Sequence, residues 1–361
     1  PQILNAHDMK RWRNETMPSI LRTALQLRKT GDVVGMTLGD VVFDNMNIYP
    51  QYVESIKNHR MTFFQCIGNH DFEKAYADLH NSSVGAERYA EQMFGRYFGP
   101  VNYSFNIGNA HVVTIKSINY RGGCHYEEEI TDEDLRWLER DLSYVPKDRL
   151  VILNMHAPGW NAMEPIDNIL NAKRLEEILA PYDAHVFAGH THFFENVEVS
   201  PRLYQHNIGS ACGAWWTSNI CRDGSPNGYM VVTVDGKKLR WKYRSANSKS
   251  DVQMRVYKPG EFRTQKDFIV ANVWEWDPHC RVVWYEDGKY KGLMQRFVDN
   301  DEAFLRTKPR KHQLAKTGHL FRARPSSKKY RYIKVIFINR FGETFTWKWE
   351  NRNNRPVLLD K

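Results

Sequence analysis

The pattern of apolar and polar positions changes character along the chain. Over roughly the first two thirds, short apolar runs of strand length alternate with stretches whose apolar residues recur at helical spacing. Val33–Leu38, Met61–Ile67, Ala110–Ser117, Arg149–Met155 and Ala184–Phe187 read as strands. Between them, about Glu15–Lys29, Tyr49–His59, Ala86–Tyr97, Thr131–Tyr144 and Asn168–Leu179 read as helices. Thr131 with Asp134 supplies an N-terminal cap, and Lys29-Thr30-Gly31 a C-terminal one. Such alternation predicts an α/β layered fold.

From Val199 onward the pattern predicts strands only: about Leu203–Ile208, Tyr229–Val234 and Leu239–Tyr243, the last two joined by an Asp235-Gly236 hairpin turn. The polar stretch Ser245–Ser250 reads as a linker. Beyond it, period-two alternation in Tyr330–Asn339 and Thr344–Trp349, with turns at Asp287-Gly288 and Phe341-Gly342, predicts a small antiparallel β sandwich. The expected division is therefore 1–245 and 246–361, and 361 residues are indeed too many for one ordinary core.

Charge follows the same division. Residues 246–361 hold 25 Lys and Arg against 13 Asp and Glu, net +12, and residues 1–245 hold 26 against 29, net −3. The densest basic stretch, Arg306 to Arg331, includes Lys308, Arg310, Lys311, Arg322, Arg324, Lys328 and Lys329. Nucleic acid or another anionic surface would be attracted to it, but a solvated basic face is the plainer reading. No run of eighteen apolar residues is present to span a bilayer. Five cysteines, Cys66, Cys124, Cys212, Cys221 and Cys280, without a C-x-x-C pair, argue against a disulfide framework or a zinc knot.

Chemistry-bearing residues gather at the ends of the predicted strands, where α/β folds place binding groups on the following loops. These ends read Gly39-Asp40, Gly68-Asn69-His70-Asp71, Asn154-Met155-His156 and Gly189-His190-Thr191-His192. Singly, each has an ordinary explanation: Gly-Asp is a turn, and a lone histidine such as His156 is more often structural than ligating. In an extended segment, however, His190 and His192 project the same way. Together, four strand ends carrying carboxylate, amide and imidazole point to a metal centre. Those donors suit Mn, Fe or Zn better than Mg or Ca. His111, His185, His206 and His279 lack such spacing and read as structural.

In this order, the set GD, GNHD, H and GHxH resembles the signature of calcineurin-like metallophosphoesterases over about residues 1–245. The resemblance implies a four-layer α/β/β/α sandwich with a dinuclear metal centre holding two divalent or trivalent ions (Mn, Fe or Zn). By position, Asp40 would bridge both metals, Asn69, His156 and His190 would complete one site, and His192 would belong to the other. His70 would be the acid near the leaving group, oriented by Asp71. The family opens with an Asp-x-His or similar motif, and Pro1-Gln2 resembles the tail of an Asp-Pro-Gln version. Gln2 would then be an amide-oxygen ligand, and the natural chain is expected to continue upstream through an acid and a buried strand. Phe43 stands where purple acid phosphatases place a Tyr, which disfavours an iron-tyrosinate enzyme.

Gly209–Trp216 and Arg222–Tyr229 also resemble multidomain bacterial members with an added C-terminal β domain, as do His319–Ala323 and Asn339–Gly342 more weakly. Trp215, Trp216 and Asn207 are candidates for the substrate pocket, with core packing the plainer reading for the tryptophans. The expected activity is hydrolysis of phosphate mono- or diesters by a hydroxide bridging two cations about 3.5–4 Å apart. No Ser or Cys nucleophile is then needed. The rival reading is a binding protein that kept the fold and docks through its β domain to a polyanion, glycan or partner; the intact ligand set favours the enzyme. Selectivity is expected in the loops Tyr120–Glu129 and Trp160–Asp167, and an extracytoplasmic bacterial location is preferred over a cytoplasmic one.

Overall fold

The structure, a computed structural model, describes residues 1–57, 59, 61–72, 86–122, 125–163, 168–249, 251–327 and 329–351. Residues 123–124 and 164–167 of the two expected selectivity loops, Cys124 and Lys328 lie outside that set.

A six-stranded sheet forms the frame. In spatial order it runs β3 (Tyr103–Ile107), β4 (Ala110–Thr114), β7 (Leu150–Asn154), β8 (Ala184–Ala188), β10 (Leu203–Asn207) and β9 (Glu195–Ser200). The four central strands are parallel, β3 and β9 close the edges antiparallel, and β5 (Ile118–Gly122) with β6 (His125–Glu128) forms a separate antiparallel pair. Alternate residues of the central strands enter two different cores, because side chains along a strand point to opposite faces. Val112, Ile152 and Phe187 pack on one face with Leu239 and Trp241. Val113, Val151, Leu153 and Val186 pack on the other with Leu138, Leu142, Leu175 and Leu179. Those last four leucines come from α5 (Asp132–Ser143) and α6 (Ala172–Leu179).

The second β layer consists of a parallel pair, β1 (Val34–Met36) with β2 (Thr62–Phe64), and a hairpin, β11 (Gly228–Asp235) with β12 (Lys238–Ser245). Its outer side carries α1 (Ala6–Arg11), which runs through a π-turn at Trp12–Thr16 into α2 (Met17–Leu27). The Tyr229 hydroxyl fixes α2 to β11 through Ser19 and Thr23. With α3 (Tyr49–Ile56) and α4 (Ala86–Phe98), the layers run helix, sheet, sheet, helix, the α/β arrangement expected. A cavity of about 590 Å³ lies between the sheets, with Val34, Met36, Phe63, Val112, Ile152 and Met230 in its walls and Pro1 and Gln2 among its lining.

The described residues from Met254 to Glu350 form the expected antiparallel sandwich. One sheet is β13 (Met254–Tyr257), β14 (Ile269–Val273), β18 (Thr317–Ala323) and β17 (Gln295–Asp299). The other is β16 (Lys289–Leu293), β15 (Arg281–Glu286), β19 (Tyr332–Ile338) and β20 (Thr344–Glu350). Ala271, Val273, Trp284, Val335 and Phe337 fill the space between them.

The two units meet through buried polar groups. Asn196 Nδ2 donates to Trp276 O (2.7 Å), the Tyr243 N–H to Glu275 (3.0 Å), and Asn272 Nδ2 to Asp223 O (2.8 Å). The stretch read as a linker is anchored at its start: Ser245 and Ala246 are buried, and Ala246 N–H donates to Asn227 O (2.9 Å). Among the described residues, no helix is long and apolar enough to cross a membrane.

His185 and His206 are neighbours on β8 and β10, with Nδ1 and Nε2 2.9 Å apart and Trp241 against both rings. Burial and the nearby Arg340 push His185 down to about 4, and burial and His185 drive His206 in the same direction. The unfolded chain protonates His185 below about pH 6.5 and the folded chain only near 4, so stability falls as pH drops through that window. The contribution of His185 is on the order of 3 kcal/mol. Thermal unfolding of the protein and of His185→Gln between pH 7 and 4 checks this: the variant should show the shallower pH dependence.

Candidate metal centre

Four strand-end loops converge because two glycines let them. Gly39, after β1, has φ +87°, and a Cβ there would lie 2.2 Å from His156 Nδ1. Gly68, after β2, would place a Cβ 2.4 Å from both the backbone nitrogen and Oδ1 of Asp40. Neither position tolerates a side chain. Asp40 follows in the left-handed region (φ 51°), buried, with its Oδ1 accepting the His70 N–H (2.9 Å). Burial works against its charge, but the His156 and His70 imidazoles and that N–H prevail and hold the carboxyl well below the usual carboxylate range.

Each of three histidines has one ring nitrogen committed to the protein. His156, at the end of β7, has Nδ1 2.6 Å from Leu38 O; a carbonyl only accepts, so Nδ1 carries the hydrogen and Nε2 the lone pair. His190 has Nε2 3.3 Å from the Glu128 carboxylate, which by the same argument leaves the lone pair on Nδ1. His192 has Nδ1 2.8 Å from Gly213 O and its ring stacked on Trp215, leaving the lone pair on Nε2. Burial pushes His156 down to about 4 and His192 to about 3, so both are neutral at pH 7.

The lone-pair nitrogens then face one another and other acceptors. His156 Nε2 lies 3.1 Å from His190 Nδ1, 2.8 Å from Asn69 Oδ1 and 3.3 Å from Asp40 Oδ1. Lone pairs packed this closely repel unless a cation sits among them, so the donor set fits a metal ion. A ring N–H given to a carbonyl or carboxylate is also the usual way a protein orients a histidine ligand. The set is mixed: among the described residues, no three His, Cys, Asp or Glu side chains make a cage by themselves, and the Asn69 amide oxygen belongs to the group. Gln2 lies beside it, with Nε2 3.1 Å from Asp40 Oδ2 and Oε1 3.4 Å from Cys212 Sγ. Its amide would have to turn over to offer the oxygen.

Three expectations need correction. His190 and His192 are not on an extended segment: both are left-handed (φ 67° and 55°), so backbone turns, not strand alternation, aim them. Asp71 does not orient the His70 ring. Residues Asn69–Asp71 form one 3₁₀ turn, which points the Asp71 carboxylate back at the Gly68, Val41 and Val42 N–H groups and the Tyr49 hydroxyl. Burial and the Asp40 charge push Asp71 up to about 7. The group on His70 is Asp44, with Oδ1 2.8 Å from Nδ1, while Phe43 stacks on the ring at 4.1 Å. As for the pocket candidates, Trp216 is buried with Nε1 donating to Pro1 O (3.0 Å), and Asn207 is fully buried against Asn161. Trp215 stacks on the candidate ligand His192, and Trp216 Nε1 also reaches the backbone oxygen of Gln2 (3.2 Å).

Sequence reasoning missed Asp44 and Glu128. Asp44 was visible four residues after Asp40, whereas nothing distinguishes Glu128 within Glu127-Glu128-Glu129.

A layered α/β fold with imidazole, amide and carboxylate at its strand ends defines a metal-dependent phosphoesterase class. The model of that class, calcineurin-like phosphoesterase, matches residues 10–194, about half of the chain, and the chain belongs to this family. A second model, the C terminal of calcineurin-like phosphoesterase, matches residues 205–345. The chain is similar to the 3',5'-cyclic adenosine monophosphate phosphodiesterase CpdA of Escherichia coli (strain K12), with 26% identity over 160 residues. That match covers 43% of this chain and 52% of CpdA, so it spans about half the length of the curated relative. Among solved structures, a dimetal phosphatase from Danio rerio aligns with TM-score 0.40 and 14% identity, over 56% of this chain and 78% of that one. Purple acid phosphatase PPD1 from yellow lupin (Lupinus luteus) aligns with TM-score 0.44 and 15% identity, over 64% and 48%.

The packing around Gly68 gives a direct test. Gly68→Ala should lower stability by about 1–3 kcal/mol through overpacking against Asp40. Gly31→Ala, where an added Cβ meets nothing within 4 Å, should not. Denaturant unfolding of the two variants measures the difference.

Proposed function

We propose that this chain hydrolyses phosphate mono- or diesters at a two-cation centre built on Asp40, Asn69, His156, His190 and His192, with Gln2 beside it. The observation that carries the reading is the approach of His156 Nε2 to His190 Nδ1 at 3.1 Å, two lone-pair nitrogens with a carboxylate and an amide oxygen alongside. Bound cations of the Mn, Fe or Zn type supply Lewis acidity and an activated water for in-line attack on phosphorus.

The chain's own residues set the stage. Asp40 has two oxygens with which to face two sites, and the neighbouring imidazoles keep it ionised. His156 and His192 stay neutral because they are buried, so their lone pairs are not lost to protons at neutral pH. His70 is the candidate acid: Asp44 holds its Nδ1–H and Phe43 fixes the ring plane, so Nε2 is the atom to deliver a proton to the departing oxygen. Asp71 serves the loop instead, tying the 40–42 and 68–71 backbones together. The similarity to a 3',5'-cyclic adenosine monophosphate phosphodiesterase is a reason to include cyclic diesters in the assay.

Chelator-stripped protein is expected to regain hydrolysis of p-nitrophenyl phosphate or bis-p-nitrophenyl phosphate when Mn, Fe or Zn is restored, and Asp40→Ala to lose it. No turnover with any metal on either ester would sink the reading. His70→Gln should cost about 10²–10⁴-fold in kcat on an alkyl ester, whose leaving oxygen needs a proton. The same change should cost far less on p-nitrophenyl esters, which leave unaided. Equal losses on both would remove His70 from the acid role.

A further inference from the structure

His190 and His192 sit in left-handed backbone, a conformation that costs a non-glycine residue roughly 1–3 kcal/mol and persists only where the surroundings impose it. The peptides between and after them are held by one residue from another part of the chain, through its backbone N–H and its side chain. Arg222 donates its backbone N–H to His192 O (3.0 Å) and Nη1 to Thr191 O (3.1 Å). The same guanidinium donates Nε to Gln313 O (3.1 Å) and Nη2 to Leu314 O (3.2 Å), which lie in the C-terminal β unit just ahead of β18. Arg222 is buried, and its fork geometry suits simultaneous contacts to carbonyls on two sides.

The next residue repeats the connection. Asp223 Oδ2 accepts the Phe194 N–H (2.8 Å), and Asp223 O accepts Asn272 Nδ2 (2.8 Å) from β14. So the Arg222-Asp223 pair grips residues 191–194 on one side and the C-terminal unit on the other.

We propose that Arg222 is a positioning residue through which the C-terminal β unit holds the Thr191–His192 backbone, and with it the His192 ring, in place at the candidate metal centre. This rests on the two-cation reading above. The C-terminal unit is then part of the site's scaffold, although none of its described residues supplies a donor atom to the group around His156. A guanidinium is required because Lys, with one nitrogen, cannot reach three carbonyls in fixed directions.

The test compares the protein with Arg222→Met, Arg222→Lys and Arg255→Met. Arg255 also joins the C-terminal unit to this loop, through Nη1 to Gly224 O (2.6 Å), but that bond ends on Gly224, away from the Thr191 and His192 carbonyls. It therefore controls for a loss of docking alone. Metal stoichiometry and affinity are read by elemental analysis and chelator competition, and backbone order by hydrogen exchange over residues 189–194. Arg222→Met should weaken one of the two metal equivalents by about 10–100-fold and speed exchange in 189–194. Arg222→Lys should recover only part of the affinity, and Arg255→Met should keep both metals.

Wild-type affinity and wild-type exchange in Arg222→Met, or an equal loss in Arg255→Met, would overturn the proposal. Should Arg222→Met fail to fold, Arg222→Lys decides on the same readouts: unchanged affinity and exchange overturn it. Should the unmutated protein take up no metal, the two-cation reading falls. Exchange over 189–194 in the Arg222 variants then still decides whether the clamp holds that backbone.

Discussion

Three imidazoles, each with one N–H tied to a carbonyl or carboxylate of the protein, are the constraint around which this molecule is organised. A histidine placed this way has no rotational choice left: the fixed hydrogen bond determines where its second nitrogen looks. Leu38 O, Glu128 and Gly213 O make that choice for His156, His190 and His192. Two of the three come from elements distant in sequence from the residue they orient, so the site requires the whole layered frame. Burial then keeps His156 and His192 uncharged at neutral pH.

Backbone geometry carries as much of the design as the side chains do. Gln2, Asp40, Asp44, His190 and His192 all adopt positive φ without being glycine. Such conformations concentrate where tertiary structure over-determines the chain. Gly39 and Gly68 remove the bulk that would hold the loops apart, and Asp71 draws three backbone N–H groups into one buried carboxylate. The site is thus assembled from turns fastened to one another, with the parallel strands acting as rails that bring the turns to a common edge.

Much of this was legible in the sequence, for identifiable reasons. Long amphipathic helices such as Asp132–Ser143 and doubly buried strands such as Leu150–Asn154 have strong periodic signals, and both fell close to expectation. The half-exposed edge strand Tyr103–Ile107 and the early helix Ala6–Arg11 did not stand out, since edge position and short length dilute the pattern. Within the site, the motifs at strand ends pointed to Asp40, Asn69, His156, His190 and His192 because α/β folds gather binding groups on the loops that follow strands. Glu128 acts through a tertiary contact alone, and a carboxylate within Glu127-Glu128-Glu129 carries no local mark of such a role. Asp71 was misread because sequence adjacency to His70 suggested a partnership that a 3₁₀ turn forbids.

The polar contact between the two units has a further meaning for how the chain can vary. Tyr204 and Asp277 are buried, and the Tyr204 hydroxyl donates to the Asp277 carboxylate across the junction. Changing one partner strands the other in a place water cannot reach, at roughly 1–3 kcal/mol. Residues on the two sides therefore have to change together. The sandwich is not a cassette that could be traded for one from a distant relative, since its seat is written jointly into both halves of the sequence.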